Sequence, residues 1–391
     1  MKQLSIKVNT ASPLLYLLIS LCALNFLNGY FYLTFITFFA VIIIRKGRIV
    51  CSGNFFLLLL FSVLMILFGF DYLFKINGIN GLLKCFLYPM SFFIGENIAS
   101  DENGESSEKR VQNNALLVVF SLALHGVLNM LNNFVTGGNQ RNSIDIWTHS
   151  ISAATRQACL FVLLCGIFFW CFFLQKNRLI KWICVLMTLA MLYYNAVIIA
   201  SRTLIILHVI GILLPLLLCV IELSKNKDNS QYIIGLRVLI VALLLLLAYF
   251  VLYYTNLFGF KTIIDTSNLA ARIQQGFFRD ERNVSRSMYL NLMWEYPFGG
   301  NYLFTLTNRY GHDIVLSALN TGGIPSASVL LAFLVSFVYQ IIKLYRMRVY
   351  SFEFRLLFLM IYAVAFIQFA LEPILDGEHW FFGCVLMISG M

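Results

Sequence analysis

The chain has 391 residues, 60% of them hydrophobic and 12% charged, with a mean hydropathy of +0.82. A water-soluble domain of this size does not tolerate such a composition, and apolar runs of roughly 18 residues or more, the length that crosses a bilayer as a helix, recur throughout. The sequence excludes a soluble enzyme and predicts an all-α integral membrane protein. The net charge of +10 then reflects topology, and no nucleic-acid partner is implied.

Taken in order, the apolar runs predict about twelve transmembrane helices, near 12–29, 30–44, 54–70, 80–99, 113–134, 156–174, 182–200, 203–222, 236–254, 315–342, 354–371 and 379–391. The run from Ala11 to Asn28 is too long for a removed leader and lacks a small-residue cleavage pattern, so it is expected to remain as a span. The last run is short for a crossing. Either the chain ends within the bilayer or that helix begins earlier.

Lys and Arg set the orientation. With Lys2 and Lys7 inside, the connections bearing Arg45, Lys46 and Arg48, then Lys109 and Arg110, then Lys176, Arg178 and Lys181, then Lys225 and Lys227, and finally Lys343, Arg346, Arg348 and Arg355 all fall on the cytoplasmic side. The acidic, Ser-rich stretch 100–110 reads there as a solvated connector. The nine cysteines lie mostly inside apolar runs without CxxC or Cys/His ligand spacing, so they are expected to pack and not to form disulfides.

The whole chain, 1–391, reads as one polytopic domain with a single long polar insertion, the extracytoplasmic loop 255–314, which is expected to contain short helices. Smaller outer features are a stretch with Arg141, Asp145, His149 and Arg156, a tight turn at Arg202, and LEPILDGEHW (371–380) with Glu372, Asp376, Glu378 and His379. If 272–286 is one helix, the spacings of seven, three and four put Arg272, Arg279, Arg282 and Arg286 within an arc of roughly 60–80°. Alone, such a face reads as a solvated, salt-bridged surface helix. Beyond it, Ser287, Asn291 and Glu295 form a polar strip and Met288, Leu292 and Tyr296 an apolar one, and Trp294 suits a membrane interface.

Arginine on the side of the membrane where cations are scarce calls for a partner. A guanidinium binds phosphate through two parallel hydrogen bonds, so a phosphate-bearing lipid is the expected ligand of Arg156, Arg202, Arg272, Arg279, Arg282 and Arg286. A departing pyrophosphate needs its charge neutralised. The outer acids Asp265, Asp280, Glu281, Glu295 and Asp313 show no paired metal-ligand spacing, so arginines are expected in place of a metal, with no cofactor. His125 and His208 lie in apolar spans and read as interhelical hydrogen bonders, and His149 has no supporting pattern. His312 opens a span at the outer boundary beside Asp313, and is the candidate catalytic base for an attacking hydroxyl.

The SR turn at 201–202, the Arg-rich loop, PFGG (297–300) and GHDIVLSALNTGGIP (311–325) together resemble the O-antigen polymerase and O-antigen ligase superfamily. The closing LEPILDGEHWFF (371–382) looks like the polymerase branch. The resemblance implies a membrane glycosyltransferase of the GT-C type in the bacterial cytoplasmic (inner) membrane, its site facing the periplasm. It further implies undecaprenyl-pyrophosphate-linked glycans as substrates, the lipid bilayer as surroundings and a chain-length regulator protein as a partner. Arg202, Arg272, Arg279 and Arg286 would hold the pyrophosphate, and His312 would activate the acceptor hydroxyl. The Arg-to-Gly spacings described for some polymerases are not reproduced: twelve residues intervene between Arg286 and Gly299, and nine between Arg156 and Gly166.

The expected reaction joins a growing glycan on one lipid pyrophosphate to the terminal hydroxyl of a new lipid-linked repeat unit, inverting the anomeric carbon in a single displacement. A ligase would use the same donor with lipid A-core as acceptor, and only the EP…WFF ending and GGIP element separate the two. A flippase of lipid-linked units would show charges in mid-span and short outer loops, unlike these nearly charge-free spans and their one long loop.

Overall fold

An apolar segment in lipid has no water to satisfy its amides and carbonyls, so it closes its hydrogen bonds internally as a helix. The computed structural model describes residues 11–45, 48–99, 107–136, 143–226, 240, 247, 250–274, 282–347 and 349–391. Among these, seven helices are long and apolar enough to cross a membrane: Gly53–Lys75, Glu108–Val135, Ala154–Leu174, Arg178–Ile199, Arg202–Glu222, Ile314–Arg346 and Phe352–Leu371. Pro13–Ala23, Tyr30–Arg45 and His379–Gly390 are shorter apolar helices. The chain is an all-α membrane protein, its one strand pair in the described residues joining Ser143–Ile144 to Ile151–Ser152. The expected span at 236–254 lies largely outside the described residues.

Two expected spans are cut short for physical reasons. The run at 80–99 is divided into Ile79–Cys85 and Leu87–Ala99. Pro89 has no amide to offer the Cys85 carbonyl, four residues back, and Ser62 Oγ donates to that oxygen instead at 2.7 Å. The run at 12–29 is helical only from Ala11 to Ala23. Asn25, Leu27 and Asn28 then take left-handed backbone conformations, and Asn25 Oδ1 accepts from the Tyr30 amide at 3.1 Å to start the next helix.

Burial separates inner helices from lipid-facing ones. The apolar window of Ala154–Leu174 is 83% buried, against 28% for Gly53–Lys75 and for Arg202–Glu222, so the first is a core element and the others form the shell. The cysteines pack in this interior, Cys51 alone being exposed. The helix His379–Gly390 is buried, backbone to backbone against Leu87–Ala99, where a Cβ on Gly95 would collide with the Met387 carbonyl and one on Gly390 with that of Phe92.

Contacts between connections sort them onto two ends. At one end, the Val50 amide donates to Asn97, and Ser351 to Glu108. The other end carries the long loop. There the Ile314–Arg346 helix is interrupted at Gly323, with φ 70° and ψ −169°. Pro325 cannot donate to the Thr321 carbonyl, and the break frees the Asn320 carbonyl and the Ile324 amide. The PFGG segment fills the gap: Gly300 N donates to Thr321 O at 3.0 Å, Asn301 N to Asn320 O at 2.8 Å, and Ile324 N to Pro297 O at 2.7 Å. The two Gly-Gly motifs singled out in the sequence thus satisfy one another's backbones.

Candidate functional site

The site is built on the Arg282–Leu292 helix, whose inward face is Arg282, Ser285, Arg286 and Tyr289, at the i, i+3, i+4, i+7 spacing of one helical stripe. Ser285 and Tyr289 are buried, and Tyr289 Oη donates to the Arg309 carbonyl at 2.7 Å. Met288, of the expected apolar strip, is 40% exposed, because the helix turns its arginines and Tyr289 toward the protein. Arg282 Nη2 lies 2.9 Å from Glu372 Oε1. Arg286 spans three partners: the His312 carbonyl at 3.4 Å, the Ala370 carbonyl, and Asp313 Oδ2, 3.6 Å from its Nε.

The third arginine arrives from the core. Arg156, at the start of Ala154–Phe169, sits with Nε 3.7 Å from Glu378 Oε2. Three of the six expected phosphate ligands therefore converge on the turn from Ala370 to Glu378. The others stand differently. Arg202 opens the helix after the Asn195–Ile199 turn, against which the helix Asn268–Gln274, bearing Arg272, is held by Asn268 Nδ2 on the Val197 carbonyl at 2.7 Å. Arg279, like Arg141, lies outside the described residues, as does the middle of the single helix expected over 272–286; the described residues on either side of it, Asn268–Gln274 and Arg282–Leu292, are helical.

Asp313 has a double task. Its Oδ1 caps the Ile314–Arg346 helix by accepting from the Leu316 amide at 2.7 Å, while Oδ2 faces Arg286. Burial raises its pKa, opposed by the Leu316 amide and Arg286. His312 precedes it in a left-handed conformation, φ 50°, half-buried at the edge of the arginine cluster.

Sequence reasoning placed Glu372, Asp376, Glu378 and His379 in an outer turn but gave them no role. The structure pairs Glu372 with Arg282 and Glu378 with Arg156, while Asp376 meets Ser317 and His379 meets Tyr88. Burial lifts the Glu378 carboxyl to about 8, with Arg156 opposing, and lifts Asp376 to about 6 against the pull of Ser317, whose Oγ donates to Asp376 Oδ2 at 2.8 Å. The available signal was a cluster of acids on the same side as a surplus of arginines. Their pairing across some 60 to 220 residues of sequence was invisible.

Behind this turn is a cleft of about 560 Å³, open mouth included, lined among others by Tyr72, Lys84, Tyr88, Thr321, Asp376 and His379. Tyr88 Oη and His379 Nδ1 are 2.6 Å apart. Burial, then Arg156, holds the Lys84 amine below its usual value. His312 is not among the lining residues. No group of three or more His, Cys, Asp or Glu side chains placed to hold a metal occurs among the described residues.

His125 has a partner of another kind than expected. It bonds a loop carboxylate and not a second span: Nε2 lies 3.1 Å from Asp145 Oδ2. With Asn129 and Asn133, at steps of four on one face of the Ser107–Val135 helix, it anchors the hairpin 143–152. Asn129 Oδ1 accepts from the Ile146 amide at 2.9 Å, and Asn133 Oδ1 from the Ile144 amide at 2.8 Å. His208 packs on the Phe168 ring, centroids 5.2 Å apart.

No family model matches the chain, and neither a curated protein nor a solved structure matches it significantly.

Proposed function

We propose that this protein is a polysaccharide polymerase: a glycosyltransferase of GT-C type in a bacterial cytoplasmic membrane that joins undecaprenyl-pyrophosphate-linked repeat units on the periplasmic face. The observation that carries the reading is the convergence of Arg156, Arg282 and Arg286 on one turn beside a polar cleft. Guanidinium groups bridging two segments form a template for a planar, multidentate anion. Their resting partners are carboxylates, which an arriving diphosphate displaces. Glu378, whose burial favours the neutral acid, gives up Arg156 at little cost.

In the proposed reaction the lipid diphosphate of the growing chain lies on the arginines, which neutralise the charge that develops as it leaves. The acceptor hydroxyl of the next repeat unit attacks from the cleft, and a base in the cluster takes its proton. His312 is the base that sequence reasoning supplies. The amphipathic surface of the loop, with Trp294, Phe298 and Tyr302 exposed, suits contact with the bilayer that holds both lipid tails.

The test is reconstitution of the full chain in liposomes with undecaprenyl-pyrophosphate-linked repeat units as the only substrate. Lengthened glycan with equimolar free undecaprenyl pyrophosphate supports the reading. Transfer that occurs only when lipid A-core is added would overturn it in favour of a ligase.

A further inference from the structure

Within the polymerase reading, we infer that the cleft between the Gly53–Asn77, Ile79–Cys85 and Ile314–Arg346 helices is the acceptor-saccharide site, and that Asp376, not His312, is the group that takes the acceptor's proton.

The cleft has the chemistry of a site for a neutral, hydroxyl-rich ring. With its open mouth included, the cleft encloses about 560 Å³. The lining offers phenols at Tyr72 and Tyr88, an alcohol at Thr321, an amine at Lys84 and an imidazole at His379, and no arginine. Such short-range donors and acceptors, mixed with aromatic faces, suit sugar hydroxyls better than a multiply charged diphosphate. The Tyr88 phenol and His379 Nδ1 are hydrogen-bonded to each other, which leaves Nε2 as the ring's second hydrogen-bonding atom.

Asp376 is the one carboxylate in that lining. Ser317 holds its Oδ2, which leaves Oδ1 for an incoming hydroxyl. Ser317 Oγ also lies 3.0 Å from the Asp313 carbonyl, one helical turn back, so its one proton is shared between the two acceptors, and Asp313 faces Arg286. Asp313, which faces the arginine, and Ser317, which holds the carboxylate, are thus one turn apart, roughly 6 Å of rise, on a single helix. In the proposed step the anomeric carbon lies between the leaving group on the arginines and the nucleophile at Asp376. His312 contributes its backbone carbonyl to Arg286 and lies outside the cleft lining, so it positions the arginine.

The step balances without a further reactant. The acceptor oxygen bonds to the anomeric carbon as its proton passes to Asp376 Oδ1, and the bond from that carbon to the phosphate oxygen breaks with its electron pair on the departing lipid diphosphate. The proton then returns to solvent. The titratable groups around Asp376 are Tyr72, Tyr88, Lys84 and His379 in the cleft, Tyr289 and Tyr310 from the loop, and Arg286 with Asp313 above it. A carboxyl raised by burial to about 6 works as a base near neutral pH.

The experiment measures release of undecaprenyl pyrophosphate by the reconstituted full chain across pH 4.5–8.5, for wild type, Asp376→Asn, Asp376→Glu and His312→Gln. Loss of a general base costs about 100-fold to 10,000-fold in rate, so Asp376→Asn is expected to lose at least 100-fold and Asp376→Glu to recover part of it. Wild type and His312→Gln are both expected to lose rate as pH falls through about 6. If Asp376→Asn keeps half of wild-type activity, or if the acid limb vanishes in His312→Gln, the base assignment is overturned while the polymerase reading stands. The second result decides the matter even if the Asp376 variants do not fold. A wild-type chain that never lengthens glycan overturns the polymerase reading, and this inference with it.

Discussion

Gly299 and Gly323 touch through their backbones, so closely that a Cβ on Gly299 would collide with the Gly323 amide and one on Gly323 with the Pro297 carbonyl. The contact locks the long loop into the break of the Ile314–Arg346 helix and sets where His312, Asp313 and Ser317 begin their span. Both residues have positive φ, at 76° and 70°.

Alanine at either position is expected to be costly on two counts. The left-handed backbone costs roughly 1–2 kcal/mol for a residue with a Cβ, and the overlap adds about 1–3 kcal/mol of overpacking strain. Gly259, with φ 69° and open space within 4 Å of where an alanine methyl would stand, separates the terms. Thermal unfolding in detergent is expected to rank Gly259→Ala well above Gly299→Ala and Gly323→Ala in stability. Equal losses at all three would remove the close-contact argument.

The Arg282–Glu372 pair is the most buried of the arginine contacts at the site, with side chains 23% and 4% exposed. Removing one partner of a buried ion pair typically costs about 3–5 kcal/mol, because the other charge is stranded, whereas replacing both by apolar groups is often neutral. Arg282→Ala alone is expected to lower the unfolding temperature sharply, and Arg282→Met with Glu372→Leu to restore much of it. A double variant as unstable as the sum of its singles would deny the coupling.

Glu378 makes stability depend on pH in a defined direction. Burial raises its carboxyl from 4.5 to about 8, so between those values the folded chain holds a proton that the unfolded chain has released. Its contribution is complete below about 4.5 and is lost as pH rises through about 8. Melting temperatures taken from pH 5 to 9 are expected to fall across this window in wild type, and to fall less in Glu378→Gln, the variant being the more stable at pH 9. An identical slope in both would show that another group sets the dependence.

The hairpin at 143–152 depends on Asn133, whose amide also donates to the Ile144 carbonyl at 3.0 Å while its oxygen takes the Ile144 amide. Asn133→Ala leaves both backbone groups without that partner, at about 1–3 kcal/mol each if they stay buried. Limited proteolysis should then cut within 143–152 faster than in wild type. Unchanged cutting would mean that His125 and Asn129 hold the hairpin alone.

What could be read from residues alone followed from composition and local spacing. Runs such as 354–371 and 156–174 admit no fold in lipid but a helix, and they are helices. The Arg282 and Arg286 face was legible because a step of four is local. Pro89 was equally visible, yet its effect depends on Ser62 supplying the missing hydrogen bond from another helix. The roles of Glu372, Asp376 and Glu378 were hidden for the same reason: each partner, Arg282, Ser317 or Arg156, is distant in sequence and meets them only once the bundle has formed. His125 was misread because its partner, Asp145, lies in a connection whose path periodicity does not describe.

The most direct measurement of the central claim is the surface polysaccharide of a strain lacking this gene, resolved by gel electrophoresis beside its parent. The polymerase account predicts that the ladder disappears and that core bearing a single repeat unit remains, restored by the wild-type gene and not by Arg286→Ala. Bare core without any repeat unit, or an unchanged ladder, would contradict it.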